Sequence, residues 1–201
     1  MSADPERERM VEETWRMILT RGLEKDFRFR HVLGLLPSNP RCRFCNAPFR
    51  GPGAMLVKLV YDKRRSRLNP NLCNVCETFA DQYQGGAEIE LTLLFADVRG
   101  STTLAEGMSA ADFSKLINRF YTAVTSVLTR TDALIDKLIG DQASGTYVPG
   151  FVGDDHARRG IEAAQEVIRV TGHGDADGPW IPLGAGVHTG VAFVGSVGSK
   201  D

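Results

Sequence analysis

The chain has 201 residues, 42% hydrophobic and 24% charged, with a formal net charge of −1, which suits a soluble globular protein with one good core and a smaller module. No apolar run approaches the roughly 20 residues that span a bilayer, and the N-terminus opens with charge instead of a signal peptide's apolar core. No membrane association is expected, and a cytoplasmic location is.

The near-zero net charge conceals a split. Residues 1–86 carry 15 Lys and Arg against 10 Asp and Glu, and residues 87–201 carry 9 against 15. The basic excess is scattered except at Lys63-Arg64-Arg65-Ser66-Arg67, a run that reads as a solvated loop or as contact for a phosphate-bearing or acidic partner. Nothing in it requires nucleic acid.

Asp4-Pro5 reads as an N-cap and first helical residue, with Glu6 and Glu8 placed well against the helix dipole. Val11, Trp15, Ile18 and Leu19 then form one apolar face, and Gly22 stops the pattern. Phe27, His31, Val32 and Leu35 suggest a second short helix closed by Pro37. His31 sits among apolar neighbours as a packing residue, or as a fifth player near the cysteines.

All four cysteines fall in two matched pairs, Cys42-Arg43-Phe44-Cys45 and Cys73-Asn74-Val75-Cys76. A two-residue gap lets both sulfurs of a pair point at one ion, and thiolates in a reducing compartment rarely persist as structural disulfides. Structural Zn²⁺ held by Cys42, Cys45, Cys73 and Cys76 is expected, with iron or unliganded thiols as alternatives. Such a closed site does no chemistry, although it can sense redox state or metal. Between the pairs, Gly51-Pro52-Gly53 and Asn69-Pro70-Asn71 mark turns. Met55, Leu56, Leu59 and Val60 make a short apolar helix or strand for the metal to pin to the core. Phe79 and Tyr83 continue a helical face to Gly85-Gly86, the expected boundary between a helical four-cysteine region, 1–86, and a second domain, 87–201.

From Ala87 the period changes to two. Ile89, Leu91, Leu93 and Phe95 alternate with polar residues as a strand leading to Asp97. Ser109 and Asp112 form a capping box for a long helix whose buried face is Phe113, Leu116, Ile117, Phe120, Val124, Val127 and Leu128. Ala133–Ile139 and Gln142–Val148 read as strands joined by a Gly140-Asp141 turn. Pro149-Gly150 ends the second of these, and Ala157, Ile161, Ala164 and Ile168 give another amphipathic helix. Leu183–His188 and Val191–Val194 read as two short strands around Thr189-Gly190. The order is βαββαβ, so an α+β, ferredoxin-like fold is expected, with helices on one face of an antiparallel sheet. That topology sets the end of the first strand beside the hairpin tip and brings Asp97 to Asp141.

Two neighbouring carboxylates repel unless a cation lies between them. Mg²⁺ favours a couple of carboxylates plus substrate phosphates over a full protein cage, and the small-residue turn from Val98 to Thr102 offers amides for a polyphosphate. Phosphoryl transfer from a nucleoside triphosphate follows as the expected chemistry. The plainer alternative makes Asp97 a helix cap and Asp141 a turn residue.

Phe95-Ala96-Asp97-Val98-Arg99-Gly100-Ser101-Thr102, Asp136-Lys137-Leu138-Ile139-Gly140-Asp141 and Gly184-Ala185-Gly186-Val187-His188-Thr189-Gly190, with Val194-Gly195-Ser196-Val197-Gly198, together resemble the class III adenylate/guanylate cyclase catalytic domain over roughly residues 88–199. The resemblance implies conversion of ATP to 3′,5′-cyclic AMP and pyrophosphate for intracellular signalling, in a head-to-tail homodimer with its site at the interface. It implies two Mg²⁺ or Mn²⁺ ions on Asp97 and Asp141, with the Val98 carbonyl as a further ligand, and β- and γ-phosphates on the amides of Arg99, Gly100, Ser101 and Thr102. Lys137 matches the base-reading lysine of adenylate cyclases; an ammonium can donate to adenine N1 but not to guanine's N1–H. Otherwise Lys137 is a strand-edge solubiliser.

The sequence departs from the family pattern at Ser101, where an aromatic is usual, and at Gln142-Ala143-Ser144-Gly145, which is smaller and more polar than the usual strand. The Val-Asn-x-Ala-x-Arg run that steadies ribose and transition state, and the adenine-contacting Asp or Thr before it, do not occur by Asp201. A piece of a longer protein, binding nucleotide weakly and turning over slowly, is therefore expected. The alternative function is a non-catalytic module that pairs with another cyclase subunit. A diguanylate cyclase is disfavoured because its Gly-Gly-Asp/Glu-Glu-Phe hairpin does not occur.

Overall fold

The computed structural model describes residues 5–22, 31–36, 38, 40–66 and 71–196. Asp4, Phe27, Pro37, Arg67, Asn69-Pro70 and Val197-Gly198, all used in the sequence reading, lie outside those residues. Two compact units divide the chain: 1–91 with 148–153 and 190–201, and 92–147 with 154–189.

In the first unit, helix α1 (Pro5–Thr20) buries Val11, Trp15 and Leu19 as the pattern predicts. The Trp15 indole donates to the Tyr83 carbonyl at 2.7 Å and meets Phe79 edge-on at 5.2 Å. Residues 31–35 are helical, but Leu33 is the buried one while Val32 and Leu35 are exposed. Helix α2 (Gly51–Tyr61) buries only Gly53 and Val57. The expected core face is therefore on the wrong side: Met55 is 79% and Leu59 86% exposed. Gly53 and Val57 are one turn apart, and residues two positions on point away from them. Helix α3 (Asn74–Gln82) buries Cys76, and Phe79 stacks on Tyr83 beyond it.

Strand β1 (Gly85–Val98) changes its buried parity along its length. Ala87, Ile89 and Leu91 are buried first, then Thr92, Leu94, Ala96 and Val98. The expected run through Leu93 and Phe95 therefore fails at its end, where Phe95 is 40% exposed.

The second unit explains that parity. After the short helix α4 (Ser101–Glu106), helix α5 (Ala110–Arg130) starts at Ser109, whose hydroxyl accepts the Asp112 amide as the capping box requires. Strands β2 (Leu134–Ile139) and β3 (Gln142–Tyr147) form the expected hairpin. Strand β3 pairs antiparallel with β1 in the register Thr92↔Tyr147, Leu94↔Gly145 and Ala96↔Ala143. Directly opposed residues share a face, and this is the helix-covered one. A side chain on Gly145 would meet Leu128 of α5 at 2.7 Å, and one on Gly160 of helix α7 (His156–Val170) would meet Thr92 at the same distance. Asp97, of the opposite parity, points away from the helices.

Pro149-Gly150 ends the strand as expected and also begins a helical turn, α6 (Pro149–Val152). Two further expectations are corrected. Helix α7 buries His156, Gly160, Ala163 and Val167, one residue ahead of the predicted Ala157, Ile161, Ala164 and Ile168, because close approach to the sheet selects small residues over large apolar ones. Leu183–Ser196 is one strand, β4, unbroken at Thr189-Gly190. The antiparallel sheet runs β2-β3-β1-β4, the arrangement expected of this α+β fold.

Candidate functional site

Where β1 ends, the Val98 amide donates to the Asp141 carbonyl at 3.2 Å, and Asp97 stands opposite Gln142 in the ladder. Asp97 and Asp141, some forty residues apart in sequence, thus occupy adjoining strand ends. Asp97 is exposed and Asp141 half-buried. Gly140 takes the left-handed conformation, φ 62°, that the hairpin turn demands.

Tyr121 of α5 also belongs to this corner. Its hydroxyl donates to the Gly140 carbonyl at 2.7 Å, and burial followed by the negative charge of Asp141 raises its pKa. Sequence alone does not mark Tyr121, since it adjoins Phe120 on a helix whose strongest signal is its apolar stripe.

The turn after β1 differs in detail from expectation. The Val98 amide is taken by Asp141, and the Arg99 amide donates to the Pro182 carbonyl at 2.9 Å. The amides left for a ligand therefore begin at Gly100, not at Arg99. Gly100 is left-handed (φ 66°) with open space where a side chain would stand. Ser101 and Thr102 open α4, whose first amides have no intrahelical acceptor. The Arg99 guanidinium lies against Gly184, where a Cβ would come within 2.5 Å of Nε. Lys137 falls in β2 beside an irregularity in the β2–β3 register between Ile135 and Leu138; its side chain lies outside the described groups. Strand β4 is tied in by a relay in which the buried Thr92 hydroxyl bonds Thr189 Oγ1 and the buried His156 Nδ1, both at 2.8 Å.

The profile of the adenylate and guanylate cyclase catalytic domain matches residues 86–201. The chain belongs to that family. Within this cyclase domain, the three sequence blocks fall at the end of β1, on the β2–β3 hairpin and along β4. An uncharacterized protein of Mycobacterium tuberculosis is 32% identical over 117 residues, 58% of this chain and 21% of its own length. The adenylate cyclase of Anabaena cylindrica is 27% identical over 54% of this chain and 22% of its own, and adenylate cyclase 1 of Rhizobium meliloti 29% over 56% and 18%. The match thus spans about a fifth of these relatives' length.

Solved cyclase structures share the fold. The catalytic core of a rhodopsin-guanylyl cyclase with converted specificity, in complex with ATPαS, aligns with TM-score 0.51 at 23% identity, covering 59% of this chain and 65% of that one. A dimeric guanylyl cyclase domain from the aquatic fungus Blastocladiella emersonii gives 0.50 at 21%, covering 58% and 66%.

Outside the family match, Cys42, Cys45, Cys73 and Cys76 offer sulfurs all within 4.8 Å of one another. This is the only such cluster of three or more His, Cys, Asp or Glu ligands among the described residues.

Proposed function

We propose that this cyclase domain converts ATP to 3′,5′-cyclic AMP and pyrophosphate, with Asp97 and Asp141 as the acidic pair of the site. The observation that carries the reading is the Val98 amide bound to the Asp141 carbonyl, which fixes the two strand ends side by side. In the reaction the ribose 3′-oxygen bonds to the α-phosphorus and loses its proton, while the bond from that phosphorus to the pyrophosphate oxygen breaks.

The donor set fits hard cations, being carboxylate oxygens on an accessible edge with the Val98 carbonyl nearby. Two Mg²⁺ or Mn²⁺ ions bound there would stabilise charge on the attacking and leaving oxygens. The remaining work falls to the chain's own groups. Asp97 and Asp141 would hold the cations that carry the triphosphate, and the Gly100, Ser101 and Thr102 amides donate hydrogen bonds to its outer phosphates. Tyr121 holds the hairpin tip so that Asp141 needs no reorganisation on binding. Lys137 donates to adenine N1 and favours ATP over GTP, a preference supported by the two adenylate cyclases among the relatives. We further propose that the site completes itself across a homodimer, as the family resemblance implies.

The test is an assay of cyclic AMP and cyclic GMP formed from the Mn²⁺ salts of ATP and GTP. Cyclic AMP is expected in excess, slowly formed, and reduced at least ~100-fold in Asp97→Ala and in Asp141→Ala, the scale of losing transition-state charge stabilisation. Full activity in a folded Asp97→Ala variant would overturn the reading. Lys137→Glu is expected to shift the product ratio toward cyclic GMP by ~10-fold or more.

A further inference from the structure

We infer that Cys42, Cys45, Cys73 and Cys76 form a closed tetrathiolate site for one Zn²⁺, and that this ion holds together the small module between residues 40 and 82. The inference concerns residues outside the cyclase match and does not rest on the nucleotide reading.

Spacing is the first argument. With metal–sulfur bonds of about 2.3 Å, the edge of a tetrahedron of sulfurs is about 3.8 Å. Cys45 Sγ and Cys73 Sγ, one from each pair, lie 3.7 Å apart, and all four sulfurs fall within 4.8 Å. A disulfide requires about 2.05 Å, so the sulfurs are placed around a point and not against each other.

The backbone builds that arrangement without help. Asn46 is left-handed (φ 59°), and its amide donates to the Cys42 carbonyl at 3.0 Å while the Cys42 amide donates to Ala47. This tight turn folds Cys42 and Cys45 toward one side. Cys73 is the N-cap of α3, which puts Cys76 one turn along the same helix. The Cys73 amide donates to Cys42 Sγ at 3.3 Å, an N–H···S bond that links the pairs and offsets thiolate charge.

Charge and packing supply the rest. Four thiolates around a divalent ion leave a net charge of about −2, which a buried site must neutralise. Lys63, the first residue of the basic run, is near enough to Cys45, Cys76 and Cys73 for its positive charge to interact with all three. The same turn holds the Asn46 side-chain amide, a buried donor with no hydrogen-bond partner among the described residues. The module's buried cluster is small: Leu33, Ala47 and Val57 beside Cys42, Cys73 and Cys76. Because α2 leaves Met55, Leu56, Leu59 and Val60 outside, apolar burial alone holds this helix weakly, and a four-point cross-link takes its place. Zinc is chosen over iron because tetrahedral thiolate is its structural geometry and a given site binds Zn²⁺ more tightly than Fe²⁺.

The test uses the full chain purified without added metal. Elemental analysis is expected to give one zinc per chain, released in step with titration of the thiols by an organomercurial and absent from Cys45→Ser and Cys73→Ser. Stoichiometric iron, or four cysteines paired in disulfides with no metal, would overturn the assignment. Should those variants fail to fold, the wild-type chain stripped by a chelator is expected to lose protease resistance between residues 40 and 82 and to regain it with Zn²⁺ but not Mg²⁺. Unchanged resistance after stripping would overturn the structural role. Lys63→Met is expected to release zinc several-fold faster; an unchanged rate would remove Lys63 from the account.

Discussion

Tyr121 shows what a single side chain adds to this site. Its hydroxyl holds the Gly140 carbonyl, so Tyr121→Phe deletes one exposed hydrogen bond worth about 1 kcal/mol of stability but frees the turn that carries Asp141. Turnover is expected to fall ~10-fold while the melting temperature moves by only a few degrees, as read by steady-state kinetics beside thermal denaturation. A buried phenol elsewhere reports on pH. Tyr147 is fully buried, and burial pushes its pKa up to about 12 despite a hydrogen bond with Thr131. The unfolded chain gives up that proton near 10, so the folded state is progressively disfavoured between pH 10 and 12, by up to roughly 3 kcal/mol. Denaturant titrations across that range are expected to show this slope in the wild type and its loss in Tyr147→Phe. The placing of Asp97 and Asp141 at adjoining strand ends was legible because a period-two strand and a Gly-Asp turn leave local marks in sequence. Tyr121 was not, and neither were the engaged amides of Val98 and Arg99, because their partners, Gly140, Asp141 and Pro182, lie far along the chain.

Among the elements, the helices of the second unit reach the sheet through missing side chains. A methyl group at Gly145 would press on Leu128 Cδ2, and one at Gly160 on Thr92 Cγ2, each at 2.7 Å. The neighbours differ in their freedom to give. Leu128 ends in flexible methyls, whereas Thr92 is fixed by hydrogen bonds to both His156 and Thr189. Gly160→Ala is therefore expected to destabilise the chain by about 1–3 kcal/mol, the usual scale of overpacking, despite alanine's better helix propensity. Gly145→Ala should cost less; equilibrium unfolding of the two variants checks the order. This is also why the buried face of α7 is not legible in the sequence. Ranking residues by hydrophobicity selects Ile161 and Ile168, yet Ile161 is 51% exposed while Gly160 and Ala163 face inward. The capping box of α5 and the β2–β3 hairpin were readable because capping and turn chemistry are local. The continuity of β4 through Thr189-Gly190 was not, because it comes from pairing within the sheet.

For the molecule as a whole, the βαββαβ order carried the fold and the family from sequence to structure, since the acidic, period-two half of the chain is the half that the cyclase profile matches. The N-terminal region was legible in its cysteines and obscure in its packing. Two-residue spacing signals a shared ion, but an apolar run such as Met55–Val60 does not say which side meets the core. None of the described helices is long and apolar enough to cross a membrane. Asp97 and Asp141 are proposed to act on one metal–nucleotide, and a double-mutant cycle on binding of Mn²⁺–ATP measures this most directly. If they share it, Asp97→Asn and Asp141→Asn each weaken binding ~10-fold and the double variant loses little more, a coupling above about 1 kcal/mol. Strictly additive losses, within about 0.5 kcal/mol, would mean that the two carboxylates act independently and would contradict the account.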